Sequence, residues 1–172
     1  LDVISSWWVT LHGHGHPKIA EAVAEQAKKL EQVIFAGFTH RPASTLAQRL
    51  TALLPGNLNR VFFSDDGSTA VEVALKMAHQ YWRNKDQPGR CKYLAFDGGY
   101  HGDTVGAMSA GASSGYFSQW EDLMFQVTSL SYPETWEGDG EVEAKEAASL
   151  AALDQYLTDH GNETAALIVE PL

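Results

Sequence analysis

The chain contains very little cysteine. Cys91 is the single cysteine among 172 residues, so the sequence offers it no partner for an internal disulfide. A reducing compartment is therefore expected. With one cysteine, the seven histidines also form none of the usual zinc-binding patterns.

Basic residues and long apolar runs are also scarce. Twelve Lys and Arg against 22 Asp and Glu give a formal net charge of −10, and no basic stripe is visible, which argues against a nucleic-acid surface. No apolar run reaches the roughly twenty residues of a membrane-spanning helix. The first residues also lack the charged segment and apolar core of a signal peptide. We therefore expect a soluble, cytoplasmic protein that acts on small molecules, without nucleic-acid or membrane partners.

Predicted strands and helices alternate along the chain, and there is no internal repeat. Hydrophobic residues make up 44% of the sequence, enough for a globular core. The patterns predict strands at residues 1–10, 60–64, 92–97, 125–127 and 165–170, and helices at 17–33, 42–53, 69–83, 104–110 and 147–160. Such alternation predicts an α/β protein with a mainly parallel sheet.

The turn at residues 65–68 joins a predicted strand to the longest predicted helix. Gly67 lets the backbone approach a ligand, and the first turn of a helix carries unpaired N–H donors. With the hydroxyls of Ser68 and Thr69, these donors suit a phosphate oxygen. The alternative is that Asp66 or Ser68 is an ordinary N-cap of the helix.

Two further segments follow predicted strands: residues 98–104 and the pair Glu170-Pro171. Ligands of open α/β sheets bind at the carboxyl ends of the strands, where we expect both segments and the 65–68 turn to lie. In the first segment, the Tyr100 ring could stack on a flat heteroaromatic cofactor. Alternatively, it packs beneath its own loop.

Three motifs in this order resemble a known family. They are Asp-Gly-Ser-x-Ala-Val-Glu-x-Ala-x-Lys-x-Ala from Asp66, Gly-Tyr-His-Gly-Asp-Thr from Gly99, and Val-Glu-Pro at 169–171. Together they resemble the pyridoxal-phosphate-dependent class III aminotransferases of fold type I. The resemblance implies a three-layer α/β fold with a mainly parallel sheet, incomplete in this chain. Residues 41–172 would be part of the large cofactor-binding domain, and residues 1–40 an N-terminal segment associated with the small domain and dimer contacts.

Two other segments resemble one group of enzymes within this family. Ser-Ser-Trp-Trp at residues 5–8 and Phe-Ala-Gly-Phe-Thr-His at 35–40 resemble family members of biotin biosynthesis. Those members transfer the amino group of S-adenosylmethionine to 8-amino-7-oxononanoate, which forms 7,8-diaminononanoate. Residues 35–40 resemble a segment that reaches the partner subunit's active site, which implies a homodimer. The alternatives are another class III ω-amino transaminase and a non-catalytic fragment that binds a phosphorylated ligand.

The resemblance assigns the cofactor, pyridoxal 5'-phosphate, to named residues. Gly67, Ser68 and the backbone N–H of Thr69 would bind its phosphate, and Tyr100 would lie against its pyridine ring and border the substrate pocket. Asp66 departs from the family, which commonly has serine or asparagine before the glycine. Its carboxylate would weaken phosphate binding unless it points away as a cap.

The resemblance also assigns substrate contacts. Trp7 would contact the substrate with Trp8 beside it, because a largely methylene chain needs a rigid apolar wall. The alternative for this pair is an ordinary core position. Asp103 and Glu170 would lie near the pocket without reacting, although Asp103 could instead cap the helix that begins near Thr104.

No residue of this chain is predicted to be catalytic or to bind a metal. In the family, the lysine that bonds the cofactor and the aspartate at its ring nitrogen follow the Glu-Pro motif, so we expect the parent protein to be a transaminase and these 172 residues alone to be inactive. Lys76 is interpreted as structural. The alternation of His12, His14 and His16 suggests a metal site, but the intervening glycines favour a turn over a strand.

Overall fold

The structure is a computed structural model that describes residues 1–171, apart from the side chain of Trp8. It divides into two compact units, Leu1–Phe62 and Phe63–Leu172. This boundary lies about twenty residues beyond the predicted one at residues 40/41. The assignment of residues 1–40 to a small domain and to dimer contacts stays a prediction.

The first unit contains three helices: α1 (Ser5–Trp8), α2 (Pro17–Ala27) and α3 (Arg41–Leu53). Proline lies in the first turn of both α2 and α3, where its missing N–H costs no helical hydrogen bond. His40 caps α3, because its Nδ1 accepts a hydrogen bond from the N–H of Ala43 at 3.3 Å. Both longer helices were predicted from sequence, although α2 ends six residues before the predicted position.

The second unit alternates helices and strands. It contains α4 (Gly67–Asn84), β1 (Lys92–Phe96), α5 (Val105–Ala110), β2 (Val127–Leu130), α6 (Val142–His160) and β3 (Thr164–Ile168), with two short 3-10 turns between α5 and β2. The strand order is β2-β1-β3, and β1 pairs in parallel with both neighbours. The predicted α/β class with a parallel sheet is confirmed.

Two predicted strands are wrong and one is displaced. Residues 60–64 form no strand, although they are rich in β-branched and aromatic residues. A strand needs a neighbour for its backbone groups, and no strand described in residues 1–171 pairs with this segment. Residues 1–10 form the α1 turn instead of a strand, and β2 lies two residues beyond its predicted start.

The core of the second unit lies between β1 and α5. Leu94 and Ala95 at the centre of β1 are buried, as are Ala107 and Ala110 of α5. Two side-chain hydrogen bonds fix α4 on the sheet: the Tyr93 hydroxyl donates to the Leu75 carbonyl at 2.8 Å, and Trp82 Nε1 donates to the Ala165 carbonyl at 2.7 Å. These bonds hold α4 against β1 and β3. Among residues 1–171, no helix has both the length and the apolar character to cross a membrane.

The burial of Leu94 gives a test of this core. Leu94 is 0% exposed, whereas Leu150 on α6 is 62% exposed. We expect Leu94→Ala to lower the free energy of unfolding by about 2–5 kcal/mol, because it leaves a cavity in a packed core. Leu150→Ala should change it by less than about 0.5 kcal/mol. Urea unfolding of the complete gene product compares the two, and equal sensitivity would contradict this description of the core.

Candidate functional site

The three segments that sequence placed at one edge of the sheet do meet in the second unit. The loop after β1 contacts the first turn of α4, because the Asp103 N–H donates to Ser68 Oγ at 3.0 Å. The same loop contacts the segment after β3, because the Tyr100 N–H donates to Glu170 Oε2 at 2.8 Å. The N-terminus of α4 therefore lies beside the carboxyl ends of β1 and β3.

Asp66 forms a capping box at the start of α4. Its Oδ1 accepts a hydrogen bond from the Thr69 N–H at 2.8 Å, and its own N–H donates to Thr69 Oγ1 at 3.0 Å. The N-cap interpretation of Asp66 is confirmed, and its carboxylate serves as the cap that the sequence analysis required.

The capping box also corrects the predicted role of Thr69. Its N–H donates to Asp66, so in this arrangement the N–H is not free to bind a phosphate. The first-turn N–H groups of Gly67 and Ser68 have no acceptor among the described residues. The predicted anion site is thus reduced to these two donors and the Ser68 hydroxyl.

Two glycines that sequence analysis did not single out allow the close approach of these segments. Gly102 has a φ of +123°, and a Cβ on it would lie 2.7 Å from Ser68 Cβ. A Cβ on Gly106 would lie 2.8 Å from Glu72 Cδ, while its N–H donates to Glu72 Oε1 at 2.6 Å. Gly102 belongs to the Gly-Tyr-His-Gly-Asp-Thr motif, which was the available signal. Glu72 is likewise the glutamate of the motif that begins at Asp66, but the motif did not show that this side chain connects α4 to α5.

Tyr100 and Asp103 form a hydrogen-bonded pair. The Tyr100 hydroxyl donates to Asp103 Oδ2 at 3.0 Å, and its ring stacks on Phe117 with centroids 6.4 Å apart. Burial first, and then the Asp103 carboxylate, raises the pKa of Tyr100. The phenol therefore stays protonated as a donor at neutral pH. Asp103 does not cap the following helix, because the N-cap of α5 is Thr104, without a side-chain cap bond.

A cavity of about 440 Å³ lies at this edge of the sheet. We call it the α4 cavity; its lining includes Gly67, Ser68, Tyr100, His101, Gly102 and Glu170. The helix N-terminus supplies donors at one end and Tyr100 an aromatic ring, while the side chain of Tyr100 remains 42% exposed. These are the groups needed for a ligand with a phosphate and a flat ring.

His101 contributes to the wall of the α4 cavity, although its Nε2 lies beside Gly99. Its Nε2 is buried and has no hydrogen-bond partner among the described residues. Burial lowers the pKa of His101, and the opposing effect of the Glu170 carboxylate is smaller. The ring is therefore neutral at neutral pH.

Trp7 belongs to the first unit, whereas the other predicted site residues with described side chains belong to the second. Its side chain is 65% exposed, so within this unit it is not a core residue. Ser5, Ser6 and Trp7 have φ values of 50°, 47° and 55°, a left-handed turn that costs L-residues roughly 1–2 kcal/mol each. The side chain of Trp8 lies outside the described part of the chain, so its predicted substrate contact stays a prediction.

The remaining candidates are found in both units of the chain. Lys76 lines a different cavity of about 550 Å³, with Glu72, His79 and Cys91. His14 Nε2 lies 2.8 Å from Asp2 Oδ2. In the described part of the chain, no group of three or more His, Cys, Asp or Glu residues is arranged to hold a metal ion. In the 35–40 segment, the rings of Phe35 and His40 stack with centroids 5.4 Å apart.

Comparison with known proteins places these features in one family. The sequence model of the family described as "Aminotransferase class-III" matches residues 1–172. An adenosylmethionine-8-amino-7-oxononanoate aminotransferase of Synechococcus elongatus is 62% identical over the whole chain. The chain covers 40% of that relative's length, and 38% of the length of an enzyme of the same name from Mycobacterium leprae, which is 41% identical.

Solved structures agree in fold. The enzyme of the same name from Methanocaldococcus jannaschii is 35% identical with a TM-score of 0.84, covering 97% of this chain and 36% of its own. An amine transaminase from an uncultivated Pseudomonas species, solved in its PLP-bound form, is 32% identical with a TM-score of 0.87, covering 100% of this chain and 40% of its own.

Asp66 allows a direct test of the anion site. Asp66→Asn keeps a good N-cap and removes a negative charge beside the Gly67 and Ser68 donors. We expect the ligand-free complete gene product to bind inorganic phosphate a few-fold more tightly after this change, with the gain shrinking as salt is raised. Isothermal titration calorimetry at low and at high salt measures the phosphate affinity of the variant and of the wild type. Unchanged affinity at low salt would show that phosphate does not bind beside Asp66.

Proposed function

Because this chain belongs to the class III aminotransferase family, we propose that its protein transfers the amino group of S-adenosylmethionine to 8-amino-7-oxononanoate. The product would be 7,8-diaminononanoate, for biotin biosynthesis. The observation that carries this substrate assignment is the 62% identity to a relative of that name over the entire chain. The chain spans about 40% of that relative's length, so the proposal concerns the complete gene product.

The α4 cavity is our proposed site for pyridoxal 5'-phosphate. The N–H groups of Gly67 and Ser68, with the Ser68 hydroxyl, would hold the phosphate, and Tyr100 would lie beside the ring. When bound, this cofactor supplies the aldehyde carbon and electron-accepting ring through which an amino group passes between two substrates. The unpaired N–H donors in the first turn of α4 support the assignment.

The chain's own residues would position and shield the reacting groups. Asp103 holds the Tyr100 phenol in one orientation, and Glu170 anchors the Tyr100 backbone from the segment after β3. Both therefore act through Tyr100, close to the pocket. Trp7 would provide an apolar wall for the methylene chain of 8-amino-7-oxononanoate, with Trp8 beside it.

The catalytic residues and the dimer contact concern the complete, assembled protein. We assign no catalytic residue to this chain, and we expect the lysine and aspartate that the family uses to lie outside these 172 residues. We propose a cytoplasmic homodimer in which residues 35–40 approach the partner's active site. The exposed side chains of Phe35 and Phe38, 50% and 63% exposed in the first unit, support such a contact.

The complete gene product tests the activity. We expect a visible absorption band from lysine-bound cofactor and formation of 7,8-diaminononanoate from S-adenosylmethionine and 8-amino-7-oxononanoate. Transfer to pyruvate, but not to 8-amino-7-oxononanoate, would instead indicate another ω-amino transaminase, the alternative that the likeness to an amine transaminase supports. Phosphate binding without a cofactor band or transfer would indicate a non-catalytic ligand-binding protein.

A substitution at Gly67 tests cofactor binding without disturbing the fold. A Cβ on Gly67 would meet no described atom within 4 Å, and its φ is not positive, so neither packing nor backbone conformation requires glycine there. We expect Gly67→Ala to leave the melting temperature of the cofactor-free protein unchanged or slightly higher. Affinity for pyridoxal phosphate should fall by roughly tenfold, because the methyl group obstructs close approach of the phosphate.

Gly89→Ala is the matched control, because Gly89 shares the open space and ordinary φ but lies outside the α4 cavity. Cofactor titration by absorbance and thermal unfolding provide the two readouts. If both variants retain wild-type cofactor affinity, the phosphate does not lie against Gly67.

A further inference from the structure

The carboxylate of Asp2 collects hydrogen bonds from several parts of the N-terminal segment. Its Oδ1 accepts the N–H groups of Ser6 at 3.0 Å and Ile4 at 3.3 Å. Its Oδ2 accepts the hydroxyls of Ser6 at 2.8 Å and Thr10 at 3.4 Å, and lies 2.8 Å from His14 Nε2. The side chain is only 24% exposed, although it lies at the surface of its unit.

These bonds surround the left-handed turn that carries Trp7. The turn is closed by the N–H groups of Val9 and Thr10, which donate to the Ser5 carbonyl. Three consecutive L-residues in the left-handed region persist only where the surroundings hold them, and none of the three is glycine. Asp2 supplies the polar contacts on one side, because it binds both the backbone and the side chain of Ser6, the central residue.

The geometry points to a role for Asp2 as a positioning residue: its carboxylate holds the 5–7 turn left-handed and thereby sets the direction of the Trp7 side chain. Because Trp7 is the proposed wall of the substrate pocket, this inference rests on the proposed function. Asp2 itself would touch neither substrate nor cofactor.

The Asp2 carboxylate stays ionised in the pH range in which an enzyme works. Hydrogen bonds lower the pKa of Asp2 to about 2, the largest effect coming from the Ser6 N–H and the next from the Ser6 hydroxyl. The depressed pKa stabilises the folded turn wherever the carboxylate is ionised, and this stabilisation is lost only as the pH falls toward 2.

The test measures substrate kinetics of the complete gene product. Asp2→Ala removes every acceptor, and we expect a roughly tenfold to hundredfold loss of kcat/KM for 8-amino-7-oxononanoate, mainly through KM. Asp2→Asn keeps one oxygen that can accept the backbone N–H groups, so this variant should retain most of the wild-type kcat/KM. Ser6→Ala, a milder change, should raise KM a few-fold. Glu25→Gln on α2 is the matched control: it breaks an exposed ion pair with Lys28, just beyond the helix, and should leave kcat/KM unchanged.

Three further readouts distinguish positioning from general destabilisation. Cofactor affinity should stay at the wild-type value, because the proposed phosphate donors belong to the second unit. Hydrogen exchange of the peptide that spans residues 3–8 should quicken in Asp2→Ala. In a Trp7→Ala background, Asp2→Ala should add little further loss, since its effect passes through Trp7.

The outcomes separate this inference from the proposed function. If the wild-type protein does not use 8-amino-7-oxononanoate, the proposed function fails, and the exchange measurement alone decides whether Asp2 holds the turn. If the wild type is active but Asp2→Ala and Ser6→Ala keep its KM, or if the losses from Asp2→Ala and Trp7→Ala are additive, Asp2 is not a positioning residue for Trp7.

Discussion

The contact between Ser68 and the loop after β1 is the constraint on which the candidate site depends. Ser68 accepts the Asp103 N–H at the same place where Gly102 lets the two backbones approach. Any side chain at Gly102 would force the loop away from α4. That displacement would move Tyr100 away from the N-terminus of α4. The α4 cavity, which both of them line, would then lose one of its walls. A close backbone approach thus brings a donor-rich helix end and an aromatic ring into one site.

The candidate site also requires that α4 has a fixed position, and the sheet provides it. Tyr93 and Trp82 bind α4 to β1 and β3 through backbone carbonyls, at a distance from the cavity. Glu170 then connects the segment after β3 to Tyr100, so all three segments depend on the same parallel strands. Because the carboxyl ends of parallel strands share an edge, residues far apart in sequence reach one cavity.

Sequence predicted the longer helices and the central strands, because hydrophobic period and turn chemistry are local signals. It also predicted that three segments meet at one edge of the sheet. It overestimated the strand tendency of residues 60–64, since pairing depends on a neighbour that local patterns do not reveal. It could not show that Asp66 takes the Thr69 N–H, since the choice between cap and ligand donor depends on side-chain direction. The left-handed turn at residues 5–7 was equally hidden, because no glycine marks it.

The central claim is that the first turn of α4 holds a cofactor phosphate through Gly67 and Ser68 while Asp66 caps the helix through Thr69. A crystal structure of the complete gene product with pyridoxal phosphate tests it most directly. We expect phosphate oxygens within hydrogen-bond distance of the Gly67 and Ser68 N–H groups, with the Asp66–Thr69 bond intact. A phosphate bound elsewhere, or one bound to the Thr69 N–H with Asp66 turned away, would contradict it.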